Sequence, residues 1–96
     1  MLNELFAIIE ERKAHPQAGS YTNRLLAAGV DEILKKVGEE AMEVILAAKG
    51  QGDQRLVEEV SDLLYHTLVL LASKDLSLAD VEAELRRRHT SPRPNP

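Results

Sequence analysis

Apolar residues along this chain recur at the three- and four-residue intervals that put side chains on one face of an α-helix. Leu2, Leu5, Phe6, Ile8 and Ile9 open the pattern and predict a first amphipathic helix over residues 2–13, with Asn3 as its N-cap. His15-Pro16 ends it, because the residue before a proline avoids helical angles. Residues 15–23 read as a polar loop, and 24–28 as a brief helical turn stopped by Gly29. Asp31 caps a second long helix running to about Lys49, with Ile33, Leu34, Val37, Ala41, Val44, Ile45 and Ala48 in a one-sided stripe. Gly50-Gln51-Gly52 closes it, and Asp53 opens a third helix to about Ser73. That helix carries Leu56, Val57, Val60, Leu63, Leu64 and Leu68 to Leu71, a face too wide for one neighbour, which places it at the centre of the core or at a subunit interface. Ser77 caps a fourth helix, with Leu78, Val81 and Leu85 inward, ending near Arg88. The pattern predicts an all-α antiparallel bundle of four to five helices. It forms a single domain over residues 1–89, and a Pro-rich tail, 90–96, is expected to be disordered.

Composition sharpens this picture in two ways. Ninety-six residues bury only about two-thirds of the unfolded surface. With no cysteine there is no disulfide or thiolate metal site to staple the fold. Association through an apolar helical face would enlarge the core, so a homodimer is expected. The net charge of −4 disfavours nucleic acid and anionic membranes as partners. No signal peptide is apparent, and the longest apolar run, Leu68 to Ala72, is far short of the roughly 20 residues of a membrane span. A cytoplasmic location is the expectation.

Candidate chemistry lies in the acids. Glu40 and Glu43, with Lys36, line one flank of the second helix's apolar stripe, and Glu39 sits further round. Glu59, Asp62 and His66 form a matching row on the third helix, while Glu58 points outward. The glycine hairpin makes the two helices antiparallel neighbours, so the rows can face each other. Two carboxylates 6 Å apart repel by roughly 3 kcal/mol at an effective dielectric of about 20. Facing acids therefore need a cation between them. Oxygen ligands without cysteine suit Mg²⁺, or Mn²⁺, rather than zinc, and Mg²⁺ completes its shell with water and substrate phosphates. Glutamate-rich helices more often merely solvate an outer face, and only the position of these acids beside the stripe argues otherwise.

The pattern Glu40-x-x-Glu43 followed by Glu59-x-x-Asp62 resembles the all-helical nucleotide pyrophosphohydrolases of the MazG type. The flanking residues narrow this. Gly19-Ser20-Tyr21-Thr22, Leu25-Leu26, Gly29, the run from Lys36 to Glu43, and Asp62-Leu63-Leu64-Tyr65-His66 followed by Leu68 to Leu71 are similar to the phosphoribosyl-ATP pyrophosphohydrolase family over nearly the whole chain. Ser61, where a small residue such as alanine is expected, is a minor departure. The resemblance implies a MazG-like dimer that uses Mg²⁺ to hydrolyse 1-(5-phosphoribosyl)-ATP between its α and β phosphates. The products are phosphoribosyl-AMP and pyrophosphate, in the second step of histidine biosynthesis. The cyclohydrolase fused to many members is expected here on a separate chain.

On this reading Glu40, Glu43, Glu59 and Asp62 are the metal ligands. Glu39 is a further ligand or the base that orients the attacking water, and Lys36 clamps a phosphate as a point charge. Ser20, Tyr21 and Thr22 offer hydroxyls and N–H groups on a flexible loop, suited to a phosphate or ribose, although the same residues make an ordinary turn. His66 reads as a hydrogen-bonded core residue and Tyr65, on the far side of its helix, as interface packing. Arg86, Arg87 and Arg88 complement the helix dipole, and Arg88 is also a candidate for gripping the substrate's second phosphate group. Two other readings use the same residues. A MazG-type pyrophosphatase of other nucleoside triphosphates would share the four acids without needing the Gly-Ser-Tyr-Thr segment. A non-enzymatic helical interaction module would tolerate losing two acids at once.

Overall fold

A computed structural model, describing residues 1–90, places five helices in order: α1 (Leu2–Ala14), α2 (Tyr21–Ala28), α3 (Val30–Gly50), α4 (Asp53–Ser73) and α5 (Leu78–Thr90). The fold is all-α, as the periodicity predicts, with no strand among the described residues. α3 and α4, 21 residues each, pack as an antiparallel hairpin and form the main body. Their turn needs a left-handed residue, and Gly52 takes φ +90 without a Cβ penalty.

Several boundaries differ from expectation. Met1, not Asn3, precedes the first turn of α1, and no side chain caps it. The segment read as loop through Asn23 is helical from Tyr21, because the Ser20 hydroxyl accepts the Asn23 N–H at 3.2 Å. Asn23 then ties this turn to α1, donating to the Arg12 carbonyl at 2.8 Å and accepting from the Gln17 N–H at 2.8 Å. α3 starts at Val30 behind Gly29, so Asp31 sits in its first turn and favours the dipole rather than capping. Ser77 does cap α5, its hydroxyl accepting from the Asp80 N–H while Asp80 accepts from the Ser77 N–H at 2.9 Å. Thr90, assigned above to the tail, belongs to α5; residues 91–96 of the expected tail lie outside the described residues.

The core gathers Phe6 and Ile9 of α1, Leu25 of α2, Ile33 of α3, and Leu68, Val69 and Ala72 of α4. Lys13 locks α1 over the end of α4, donating to the Ala72 carbonyl at 2.7 Å. Outside this core the apolar stripes stay open. Leu34, Met42, Ile45 and Leu46 on α3, Val57, Val60 and Leu64 on α4, and Val81 and Leu85 on α5 are exposed, and α5 buries no residue at all. On α3 the buried positions are Ile33, as expected, and Ala47, whereas the expected Ile45 and Ala48 are exposed.

Candidate metal centre

The hairpin brings the two acidic rows together. One carboxylate oxygen from each of Glu40, Glu59 and Asp62 lies within 4.8 Å of the other two. They open into a cleft of about 540 Å³ lined by Lys36, Glu39, Glu40, Glu43, Arg55, Glu59 and Asp62. Five carboxylates thus face two cations. Glu43 lines the cleft outside the three-way group, and Glu39 stands at the rim, half exposed.

Burial makes this cluster unusual. Glu59 is 3% exposed, the most hidden charge among the described residues. Glu40 Oε2 is shut off from solvent with no hydrogen-bond partner. An orphaned carboxylate oxygen in a buried position costs on the order of 1–3 kcal/mol or more unless something donates to it or coordinates it. Burial pushes the Glu59 carboxyl up; Arg55 pulls it back, and Glu40, Asp62 and Glu43 add to the rise. The donor set is oxygen only. Oxygens around Mg²⁺ at about 2.0–2.1 Å sit roughly 3–4 Å from one another, so this group fits a small hard cation after modest closure.

Lys36 and Arg55 flank the acids. Lys36 Nζ stands 3.4 Å from Glu39 and 4.0 Å from Glu40. Desolvation works against its ammonium, but Tyr21, Glu39 and Glu40 outweigh it and hold its pKa above the ordinary lysine value. Arg55 forks between Glu59 at 3.0 Å and Glu58 at 3.3 Å. The sequence reading missed this arginine, although its i,i+4 spacing to Glu59 was a legible signal.

The Ser20-Tyr21-Thr22 segment is not a flexible loop. Ser20 caps α2, and the buried Thr22 hydroxyl pairs with the Tyr65 hydroxyl. Tyr65 therefore packs against α2 inside the chain, which corrects its assignment to an interface: the neighbour on that side of α4 is α2. His66 is a buried, hydrogen-bonded residue, as expected. Its Nδ1–H donates to the Asp62 carbonyl at 2.7 Å, which leaves Nε2 to accept from the Tyr21 hydroxyl at 3.0 Å. Tyr21 is thereby joined through His66 to the backbone of Asp62, and burial raises its hydroxyl pKa against the pull of nearby Lys36. Arg88 lies elsewhere, held by Glu84 at 2.9 Å in an apolar groove with Leu71, Leu76, Val81 and Leu85.

The central hairpin of this all-helical chain thus concentrates carboxylates in one cleft, and an arrangement of this class could hold a divalent cation. Comparison with known proteins is specific. The family model for phosphoribosyl-ATP pyrophosphohydrolase matches residues 2–89. The chain is 59% identical to the phosphoribosyl-ATP pyrophosphatase of Listeria welshimeri over 92% of its length and 84% of that protein. It is 51% identical to the phosphoribosyl-ATP pyrophosphatase of Clostridium acetobutylicum, over 93% of its length and 81% of that protein. It is also 56% identical to the histidine biosynthesis bifunctional protein HisIE of Gloeobacter violaceus, of which it spans 39%. The chain belongs to the phosphoribosyl-ATP pyrophosphohydrolase family and is a hydrolase. The non-enzymatic module is thereby set aside.

Proposed function

We propose that this enzyme hydrolyses 1-(5-phosphoribosyl)-ATP between its α and β phosphates, releasing phosphoribosyl-AMP and pyrophosphate for histidine biosynthesis in the cytoplasm, with Mg²⁺ (or Mn²⁺) as cofactor. The observation that carries the reading is the convergence of Glu40, Glu59 and Asp62 on one point, with Glu59 buried and a Glu40 oxygen unpartnered. These three, with Glu43 beside them, would hold the ion. A bound Mg²⁺ supplies neutralisation of the charge that develops on the bridging and leaving phosphates.

The chain's own residues do the rest. Glu39, half exposed at the cleft mouth and paired with Lys36, orients and deprotonates the attacking water. Lys36 holds a phosphate oxygen as a point charge on the same side. Tyr21, held by His66, keeps α2 against this side of the cleft and, with Ser20 and Thr22, sets where the ribose end of the substrate rests. Arg88, held by Glu84 in another groove, takes no part in the grip of its own chain. Two copies associate through the open stripes of α3 and α4, covering Ile45, Leu46, Val57 and Leu64.

Pyrophosphate release is the test. Incubation with Mg²⁺ and phosphoribosyl-ATP, ATP or dUTP in turn should give product only from phosphoribosyl-ATP. Release from the simple triphosphates instead would assign the chain a broader pyrophosphatase activity, and the proposed substrate would be wrong.

A further inference from the structure

The cation nearest a proposed ligand is not Lys36 but Arg55. Lys36 stays 4.0 Å from Glu40, whereas Arg55 reaches Glu59 at 3.0 Å, in the middle of the acidic group. Glu59 is almost inaccessible and has Glu40, Asp62 and Glu43 as like-charged neighbours, so its charged form needs a positive partner. Arg55 itself is half exposed, at 48% of its side chain, on the first turn of α4. Its side chain is therefore not locked in the core, and its head is paired with carboxylates. A divalent cation on Glu59 would stand close to the guanidinium, and like charges at such range repel, which weakens the ion pair.

We propose that Arg55 is an exchangeable counter-ion of the cleft: it holds Glu59 while no divalent cation is bound, and passes to the phosphates of the nucleotide when a cation takes Glu59. The inference rests on the metal-dependent reading above. Three features of the structure support it. Arg55 lines the cleft, its fork matches phosphate oxygens in a way a lysine does not, and its alternative partner, Glu58, points away from the metal group. Released from Glu59, the guanidinium stays at the lip opposite Lys36, so that the polyphosphate would enter between two cations.

Calorimetric titration of the purified protein tests both halves of the exchange. Arg55→Met removes the charge and keeps the stem, and far-UV circular dichroism checks that the helices persist. Without nucleotide, MgCl₂ should bind R55M about three- to fivefold more tightly than the unaltered protein, the scale of a half-exposed ion pair. With Mg²⁺ saturating, inorganic pyrophosphate should bind R55M about tenfold more weakly, the scale of a lost charge-assisted pair. R55K, which keeps the charge without the fork, should shift both in the same directions by smaller factors, and keeps the question answerable if R55M does not fold. Unchanged or weaker Mg²⁺ binding in these variants overturns the exchange, and so does unchanged pyrophosphate binding. If the unaltered protein binds no Mg²⁺ at all, the proposed function falls with it. If it binds Mg²⁺ and the variants match it, only the role of Arg55 is lost.

Discussion

The two halves of α4 are built on opposite rules. From Tyr65 to Ser73 the buried positions are Leu68, Val69 and Ala72, with His66 fully bonded among them, and this half seats the core. From Asp53 to Leu64 the one buried residue is the carboxylate Glu59, while Val57, Val60 and Leu64 face outward. One helix thus hides oil at one end and charge at the other. Placing a carboxylate inside and valine outside lowers the stability of the isolated chain, and natural sequences accept such local inconsistency chiefly where function needs it. The first half carries the acidic cleft and an exposed apolar face, and the second half mainly carries the core.

Substitutions in the two halves should separate activity from stability. The largest effect is expected from Glu59→Gln: pyrophosphate release should fall about a thousandfold, roughly 4 kcal/mol of barrier, while the urea midpoint of the metal-free protein stays the same or rises. Activity retained within tenfold would remove Glu59 from the ligand set. Leu68→Ala should do the reverse, costing about 2–5 kcal/mol in urea unfolding with little change in turnover per folded molecule. Leu64→Lys, on the exposed face of the first half, should raise the dimer dissociation constant by about tenfold or more in sedimentation experiments. A monomer in both proteins would show that this face has no self-partner.

The smallest effect is in the pH dependence of stability. Glu59 is held above its ordinary value of 4.5, so the folded state binds its proton more readily than the unfolded chain. The metal-free protein should therefore gain stability as pH falls from neutrality towards 4.5, and lose it again as pH rises through the same window. Below that window the slope should turn. The Glu84 carboxyl is pulled down to about 2 by Arg87 and Arg88, so its stabilising pair is lost as pH falls towards that value. Urea midpoints for Glu59→Gln should be flat where the unaltered protein slopes.

Periodicity made the helices legible, because each apolar stripe is long and interrupted by Gly, Pro or a capping residue. It failed at residues 15–23, where Pro16 and Gly19 suggested loop throughout, although Ser20, a residue suited to capping, starts α2 at Tyr21. The acids could be placed in the cleft from their angle beside the stripe, since the short turn at Gly52 leaves the two helices no other relation. Angle alone could not place Tyr65. It gave the direction of the side chain correctly but not the neighbour met there, which is α2. The place of Arg88 was not legible either, because where α5 lies relative to the hairpin is a matter of tertiary packing that no local pattern records. Arg55 shows the converse: its pairing with Glu59 is local, but its reach into the cleft depends on α3.

Glu40, Glu59 and Asp62 are proposed above to hold one divalent cation together. Crystals soaked in Mn²⁺, with anomalous scattering recorded at the manganese edge, test it most directly. A peak at about 2.1–2.2 Å from oxygens of all three residues, with the Arg55 head moved off Glu59, is the predicted result. Saturating Mn²⁺ with no peak between α3 and α4, or a peak held by surface acids elsewhere, would contradict it.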